Sequence, residues 1–118
     1  MAKNSRTFPP LSPAVLYILL ALIEQDRHGY GIMQEVVRQS EGRCKLGPGT
    51  LYDNLERLMD EGLVKEMPCP KGDDDRRRRY YRLSDSGKDV LRSELARLDK
   101  LLRRVRPTMR TLPGDTTS

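Results

Sequence analysis

The sequence predicts a mainly α fold with a small β element (α+β class): three short helices, one charged hairpin and a long closing helix. Three observations carry this. Helical apolar patterns occupy separate stretches between Pro13 and Glu61. The run KGDDDRRRR (Lys71–Arg79) joins two short segments of strand character, Leu63–Met67 and Tyr80–Leu83. Finally, Leu91, Leu95, Leu98, Leu102 and Val105 recur at 4-3-4-3 spacing, a coiled-coil seam of two heptads.

Residues 1–10, with Pro9 and Pro10, read as a loose basic arm. Ser12-Pro13 is a helix start, because the serine oxygen caps free N–H groups and proline suits the first turn. The first helix is expected from about Pro13 to Gln25, apolar nearly all round and therefore surrounded by neighbours. Its apolar run Ala14–Ile23 is shorter than the roughly 20 residues a membrane span needs. It stops at Glu24, Gln25, Asp26 and Arg27, with no small-residue cleavage site after it. A buried core helix is the reading that remains, and no membrane partner is expected.

His28-Gly29 breaks that helix, and a second begins near Tyr30 or Gly31. Ile32, Met33, Val36 and Val37 form its buried stripe, and Ser40–Gly42 closes it. His28 is expected to be a turn residue and Tyr30 to fill the joint between helices. A link over Gly42–Pro48 carries Lys45 to a third helix, about Pro48 to Glu61. Leu51, Leu55, Leu58 and Met59 lie on its inner face, and Gly62 ends it. The outer face presents Thr50, Asp53, Glu56, Arg57 and Asp60, with Tyr52 and Asn54 on the flanks.

Leu63–Met67 and Tyr80–Leu83 form a hairpin with a long charged tip; Pro68 and Pro70 stop the first strand, and the edge charges guard against aggregation. Tyr81 and Leu83 should face the core and Tyr80 the outside. Ser84 caps the last helix, which should run from about Asp85 to Val105 and stop before Pro107, with Asp99 and Arg103 paired at i,i+4. The tail 107–118 reads as disordered.

At 118 residues the chain makes one domain. A net charge of +5 and an isoelectric point of about 9.5 suggest an anionic partner, nucleic acid or an acidic membrane surface, or serve solubility alone. Cys44 and Cys69 form no CxxC pair and His28 is the single histidine, so no metal site assembles and no cofactor is implied. Catalysis has no local signature, and an enzyme is not expected. Nothing points to a disulfide or to secretion, so the expected compartment is the cytoplasm.

Three helices, a charged hairpin and a long terminal helix follow the order of a winged helix-turn-helix with a two-stranded wing and a C-terminal dimerisation helix. The expected units are an arm (1–10), the winged domain (11–83), the dimerisation helix (84–106) and the tail (107–118). In such a module the third helix enters the major groove and the hairpin lies along the backbone or reaches a minor groove. Thr50 and Lys45 lie at the helix entry, where short donors position phosphates. Arg57 either reaches a phosphate or pairs with Asp53 or Asp60. Arg76, Arg77, Arg78 and Arg79 either line the DNA-facing side of the wing or are neutralised by Asp73, Asp74 and Asp75.

Three stretches resemble PadR-type transcriptional regulators: LSPAVLYILLALIEQDRHGYGI (Leu11–Ile32), GPGTLYDNLERLMDEGLV (Gly47–Val64) and RRRRYYRLSDSGKDVL (Arg76–Leu91). The resemblance covers about Leu11 to Arg104, with the motifs in the family's order. It implies a homodimeric repressor of near-palindromic operators, released by small aromatic or cationic compounds. It also implies the short form with one C-terminal helix, packed on the partner's first helix. The expected dimer residues are Leu16, Leu20, Leu91, Leu95, Leu98, Leu102 and Val105. By the same analogy Leu16, Tyr17, Leu20 and Leu98 line an effector cavity. The expected DNA contacts are Lys45, Thr50, Tyr52, Asn54, Arg57 and Arg76–Arg79, with Tyr52 either touching DNA or packing its ring on the second helix. Two departures stand out. Asp53 replaces the proline that follows the family's recognition-helix tyrosine, and the chain has no tryptophan on which a drug could stack. The acidic outer face keeps two other readings open, a winged-helix protein-interaction module and a ligand-binding protein without DNA binding.

Overall fold

A computed structural model of the chain describes residues 9–73, 75 and 77–114. In order these form α1 (Pro13–Ala21), β1 (Arg27–His28), α2 (Gly29–Gln39), α3 (Pro48–Asp60), β2 (Val64–Met67), β3 (Tyr80–Leu83) and α4 (Asp85–Thr111). The architecture is the expected α+β winged helix.

Local chemistry sets each boundary. Ser12 caps α1 by accepting the Val15 N–H at 3.2 Å, and Pro13 opens its first turn. The helix ends at Ala21 rather than near Gln25. Arg27 reaches back to donate its Nε–H to the Ala21 carbonyl at 2.7 Å, closing the helix from beyond its end. Arg27 and His28 then pair with Tyr81 and Tyr80 of β3, a strand that was read in the sequence only as a break. The expected two-stranded hairpin, β2–β3, therefore sits in a three-stranded sheet of order β1-β3-β2.

His28 also caps α2: its Nδ1 accepts the Gly31 N–H at 3.0 Å. Gly62 ends α3 with φ 78°, and the N–H groups of Gly62 and Leu63 return to the carbonyls of Met59 and Leu58 at 3.0 and 2.9 Å. That is the paired closure in which a glycine takes the left-handed position. In the hairpin Val64 faces Leu83 and Met67 faces Tyr80.

The core gathers Ile18 and Leu19 of α1, Ile32 and Val36 of α2, Leu51 and Leu55 of α3, with Tyr81, Leu83 and Leu91, all at most 3% exposed. Tyr81 and Leu83 point inward as expected, and Tyr80 is half-buried. Two further expectations fail. Tyr30 is 63% exposed instead of filling a joint, because it stands on the outer side of the first turn of α2 while Gly29 beside it is buried. Also, α4 runs through Pro107 to Thr111. Pro107 gives up the bond to the Arg103 carbonyl and crowds it, on a stretch of α4 whose residues are mostly exposed. The expected tail therefore loses its first five residues to the helix; residues 115–118, like 1–8 of the arm, lie outside the described residues. No helix among the described residues is long and apolar enough to cross a membrane.

Candidate nucleic-acid interface

The outer face of α3 is as acidic as its sequence implied: Asp53, Glu56 and Asp60 are exposed, beside Thr50 and Arg57. Lys45 is exposed in the link that precedes the helix. Asn54, expected on a flank, is only 8% exposed. Its amide donates to the Thr50 carbonyl at 2.9 Å, and its Oδ1 accepts from Arg57 at 3.2 Å. Asn54 thus serves its own helix, and Arg57 pairs with it rather than with Asp53 or Asp60.

Tyr52 packs on the second helix, one of the two readings weighed for it. It is 46% exposed, yet its hydroxyl lies over Gly29 at the start of α2, so the ring bridges the two helices.

The wing carries its arginines in ion pairs. Arg77 meets Asp75 at 3.3 Å, Arg78 meets Asp73 at 3.3 Å, and Arg79 approaches Glu66 at 3.8 Å. Arg76 lies outside the described residues. Among the described residues these arginines are thus paired with wing acids, with their side chains still 46–93% exposed. Such exposed pairs contribute at most about 1 kcal/mol each, so a phosphate can compete for them.

Asp73 organises this tip. Its carboxylate is almost fully covered and accepts from the Tyr80 hydroxyl, the Asp75 N–H and Arg78. The Tyr80 hydroxyl, followed by the Asp75 N–H, holds the Asp73 carboxyl below the usual carboxylate range. The Arg77 N–H and then its guanidinium do the same for Asp75. Asp26 anchors β3 from the other side through two bonds with Arg82 at 2.9 and 3.0 Å. Pairing of Asp73 and Asp75 with wing arginines is one of the two sequence readings; which arginine each meets, the Tyr80–Asp73 bond and the Asp26–Arg82 pair depend on the hairpin register.

An open cavity of about 420 Å³ joins the two halves of this surface. His28–Tyr30 at the start of α2, Tyr52 of α3, and Tyr81 with residues 77–79 of the wing form its walls. The helix expected to read DNA and the wing expected to hold its backbone therefore border one space.

On the opposite element, Leu91 is 1% exposed inside the chain's own core, so the open part of the α4 seam begins beyond it. Leu95 and Leu102 are 39% and 52% exposed, while Leu98 and Val105 are half-buried. Leu16, Tyr17 and Leu20 of α1 are half-buried as well. Asp99 and Arg103 form the expected ion pair. The Met109 and Leu112 side chains extend the apolar surface past the proline, at 51% and 45% exposure.

Comparison with known proteins gives one consistent result. Residues 18–93 match the model of the transcriptional regulator PadR-like family. The transcriptional regulator Rv3488 of Mycobacterium tuberculosis is 35% identical over 91 residues, which cover 76% of this chain and 79% of that protein. A transcriptional regulator from Clostridium thermocellum superposes with a TM-score of 0.64 at 25% identity, over 79% of this chain and 89% of that one. The structure of Bacillus subtilis PadR in complex with operator DNA matches with a TM-score of 0.61 at 25% identity, over 71% of this chain and 47% of that one.

Proposed function

The chain belongs to the PadR-like family of transcriptional regulators, and on that premise we propose that it is a homodimeric repressor that binds a near-palindromic operator. One observation supports this above others: Tyr52 of α3 and the arginines of the wing border a single open cavity. A helix in the major groove and a wing on the adjoining backbone require that juxtaposition. Thr50, Lys45, Tyr52 and Arg57 then contact DNA from α3 and its entry, and Arg76–Arg79 contact it from the wing. Asn54 acts from behind, by holding Arg57. The similar Bacillus subtilis PadR is a protein seen with operator DNA, which agrees with this use of the surface.

The exposed leucines of α4 support the dimer. A stripe holding Leu95, Leu98, Leu102 and Val105 is matched on a second copy by the half-buried Leu16 and Leu20 of α1. A small aromatic or cationic effector lodged among Leu16, Tyr17, Leu20 and Leu98 would release the operator by shifting this packing.

Selection of duplexes from a randomised pool, followed by salt titration of the winner, tests the reading. A preferred, inverted-repeat sequence with a steep negative salt slope is the expected result. A second reading, a protein-interaction module, is favoured by the exposed acids Asp53, Glu56 and Asp60 on the outer face of α3. Failure of any duplex to enrich would select it.

A further inference from the structure

We propose that the cavity between α2, α3 and the wing seats one phosphodiester of the bound DNA strand, with Tyr30 and Arg78 as its contacts. This rests on the DNA-binding reading and adds a residue, Tyr30, that the recognition helix and the wing do not supply.

The lining chemistry is what points to an anion. Arg77, Arg78 and Arg79 border a space of about 420 Å³, and among the described residues no carboxylate does. Asp73, Asp75 and Glu66 hold these arginines instead of facing the cavity. The volume is many times the ~30 Å³ of one water, so a phosphate enters with part of its hydration. The start of α2 adds the positive end of an eleven-residue helix to the same wall.

Tyr30 and Arg78 are the groups free to respond. Tyr30 is 63% exposed on the first turn of α2, lines the cavity and has no part in the core. Arg78 rests loosely between Asp73 Oδ1 at 3.3 Å and His28 Nε2 at 3.5 Å, a single long bond on one side and a weak contact on the other. A phosphate oxygen offers the guanidinium a shorter, charge-assisted bond. His28 itself is committed to its helix, since Nδ1 accepts the Gly31 N–H.

Methylphosphonate scanning of a duplex enriched by the wild-type protein tests this. Each phosphate is neutralised singly, and affinity is measured for wild type, Tyr30→Phe and Arg78→Gln. At one phosphate in each half-site neutralisation should weaken wild type about tenfold, the value of one hydrogen bond to a charged group. The same neutralisation should weaken either variant less than it weakens wild type, since one of the two contacts is already gone. Melting temperatures equal to wild type within a few degrees show that the variants fold, and Tyr30→Phe removes only one exposed oxygen. If every phosphate affects the variants as it affects wild type, the seat is not there, although the protein binds DNA. If no duplex enriches, the DNA-binding reading and this inference fall together. Inorganic phosphate is the remaining arm: a melting shift in wild type, absent in Arg78→Gln and with no coupled phosphate in DNA, would assign the cavity to a free anion and overturn the proposal.

Discussion

The hydroxyl of Tyr52 stands where a side chain on Gly29 would begin: a Cβ built on Gly29 meets that oxygen at 2.2 Å. Tyr52 is half-exposed and can swing its phenol outward, so Gly29→Ala moves the tyrosine rather than the backbone. Alanine also favours a helix over glycine by about 0.5–1 kcal/mol. The expected outcome is unchanged or slightly raised thermal stability with DNA affinity lowered about two- to tenfold. Calorimetry and anisotropy titration check the two halves separately, and equal affinity would show that the Tyr52 position is irrelevant to binding.

Gly87 presents the opposite case. A Cβ there would stand 2.2 Å from the Leu63 carbonyl oxygen and 2.6 Å from a Leu83 methyl group. The carbonyl cannot retreat, because the Ser84 N–H bonds to it at 3.0 Å where the wing meets α4. Gly87→Ala should therefore destabilise by about 1–3 kcal/mol or more. A melting temperature equal to wild type would show that the wing and α4 separate freely.

The seam divides by burial in the single chain. Leu91 lies in the core, so Leu91→Ala should lower stability by about 2–5 kcal/mol whatever the oligomeric state. Leu95→Arg, Leu98→Arg and the more exposed Leu102→Arg should leave a folded chain that sediments as a monomer and binds its operator far more weakly. A wild-type dimer in all three variants would contradict the assignment of α4 as the dimer surface.

These cases show where the sequence was legible. Helix starts at Ser12 and Ser84 and the end at Gly62 were readable because a cap needs only one residue type at one offset. The inward faces of α2, α3 and β3 followed from period alone. By contrast, β1 spans two residues, too short for any periodicity, and its pairing with Tyr80 and Tyr81 is set by tertiary register. The early stop of α1 depends on Arg27 reaching six residues back. Asn54 looked like a flank residue on a helical wheel, yet at 8% exposure it is buried by its neighbours and served by Thr50 and Arg57. Which wing arginine met which acid was likewise a matter of register and not of composition.

Glu35 makes stability depend on acid. It is nearly buried, and its pKa is lowered to about 2, first by the Arg38 guanidinium, then by the Gln39 amide, with Arg27 adding charge at 3.7 Å. A carboxylate whose folded pKa lies below its unfolded value of about 4.5 stabilises the fold above that value and loses its contribution as pH falls towards 2. The network matters because Arg27 also closes α1 and Gln39 bonds the Leu20 carbonyl at 3.4 Å. The melting temperature should fall between about pH 4.5 and pH 2. Glu35→Gln should be less stable at neutral pH and show a shallower fall across that window. An identical pH profile in the variant would mean that other carboxylates carry the acid response.

The wing acids set how readily the arginines reach DNA. Arg77 is 93% exposed and its one described acidic partner is Asp75, at 3.3 Å. An exposed pair of this kind is worth about 0.2–1 kcal/mol, and binding a phosphate must first give that up. Removing the acid should return it: Asp75→Asn should raise affinity for any duplex about 1.5- to fivefold at low salt, with no change in preferred sequence. Arg77→Ala should do the reverse, weakening all duplexes alike and reducing the salt slope by about 0.9 for the lost phosphate contact. In the double variant the gain from Asp75→Asn should shrink, because its main partner is Arg77, with Arg78 adding only charge. Salt slopes that stay the same in Arg77→Ala, or a gain from Asp75→Asn that is undiminished by the loss of Arg77, would show that this arginine remains a solvated loop residue when DNA is bound.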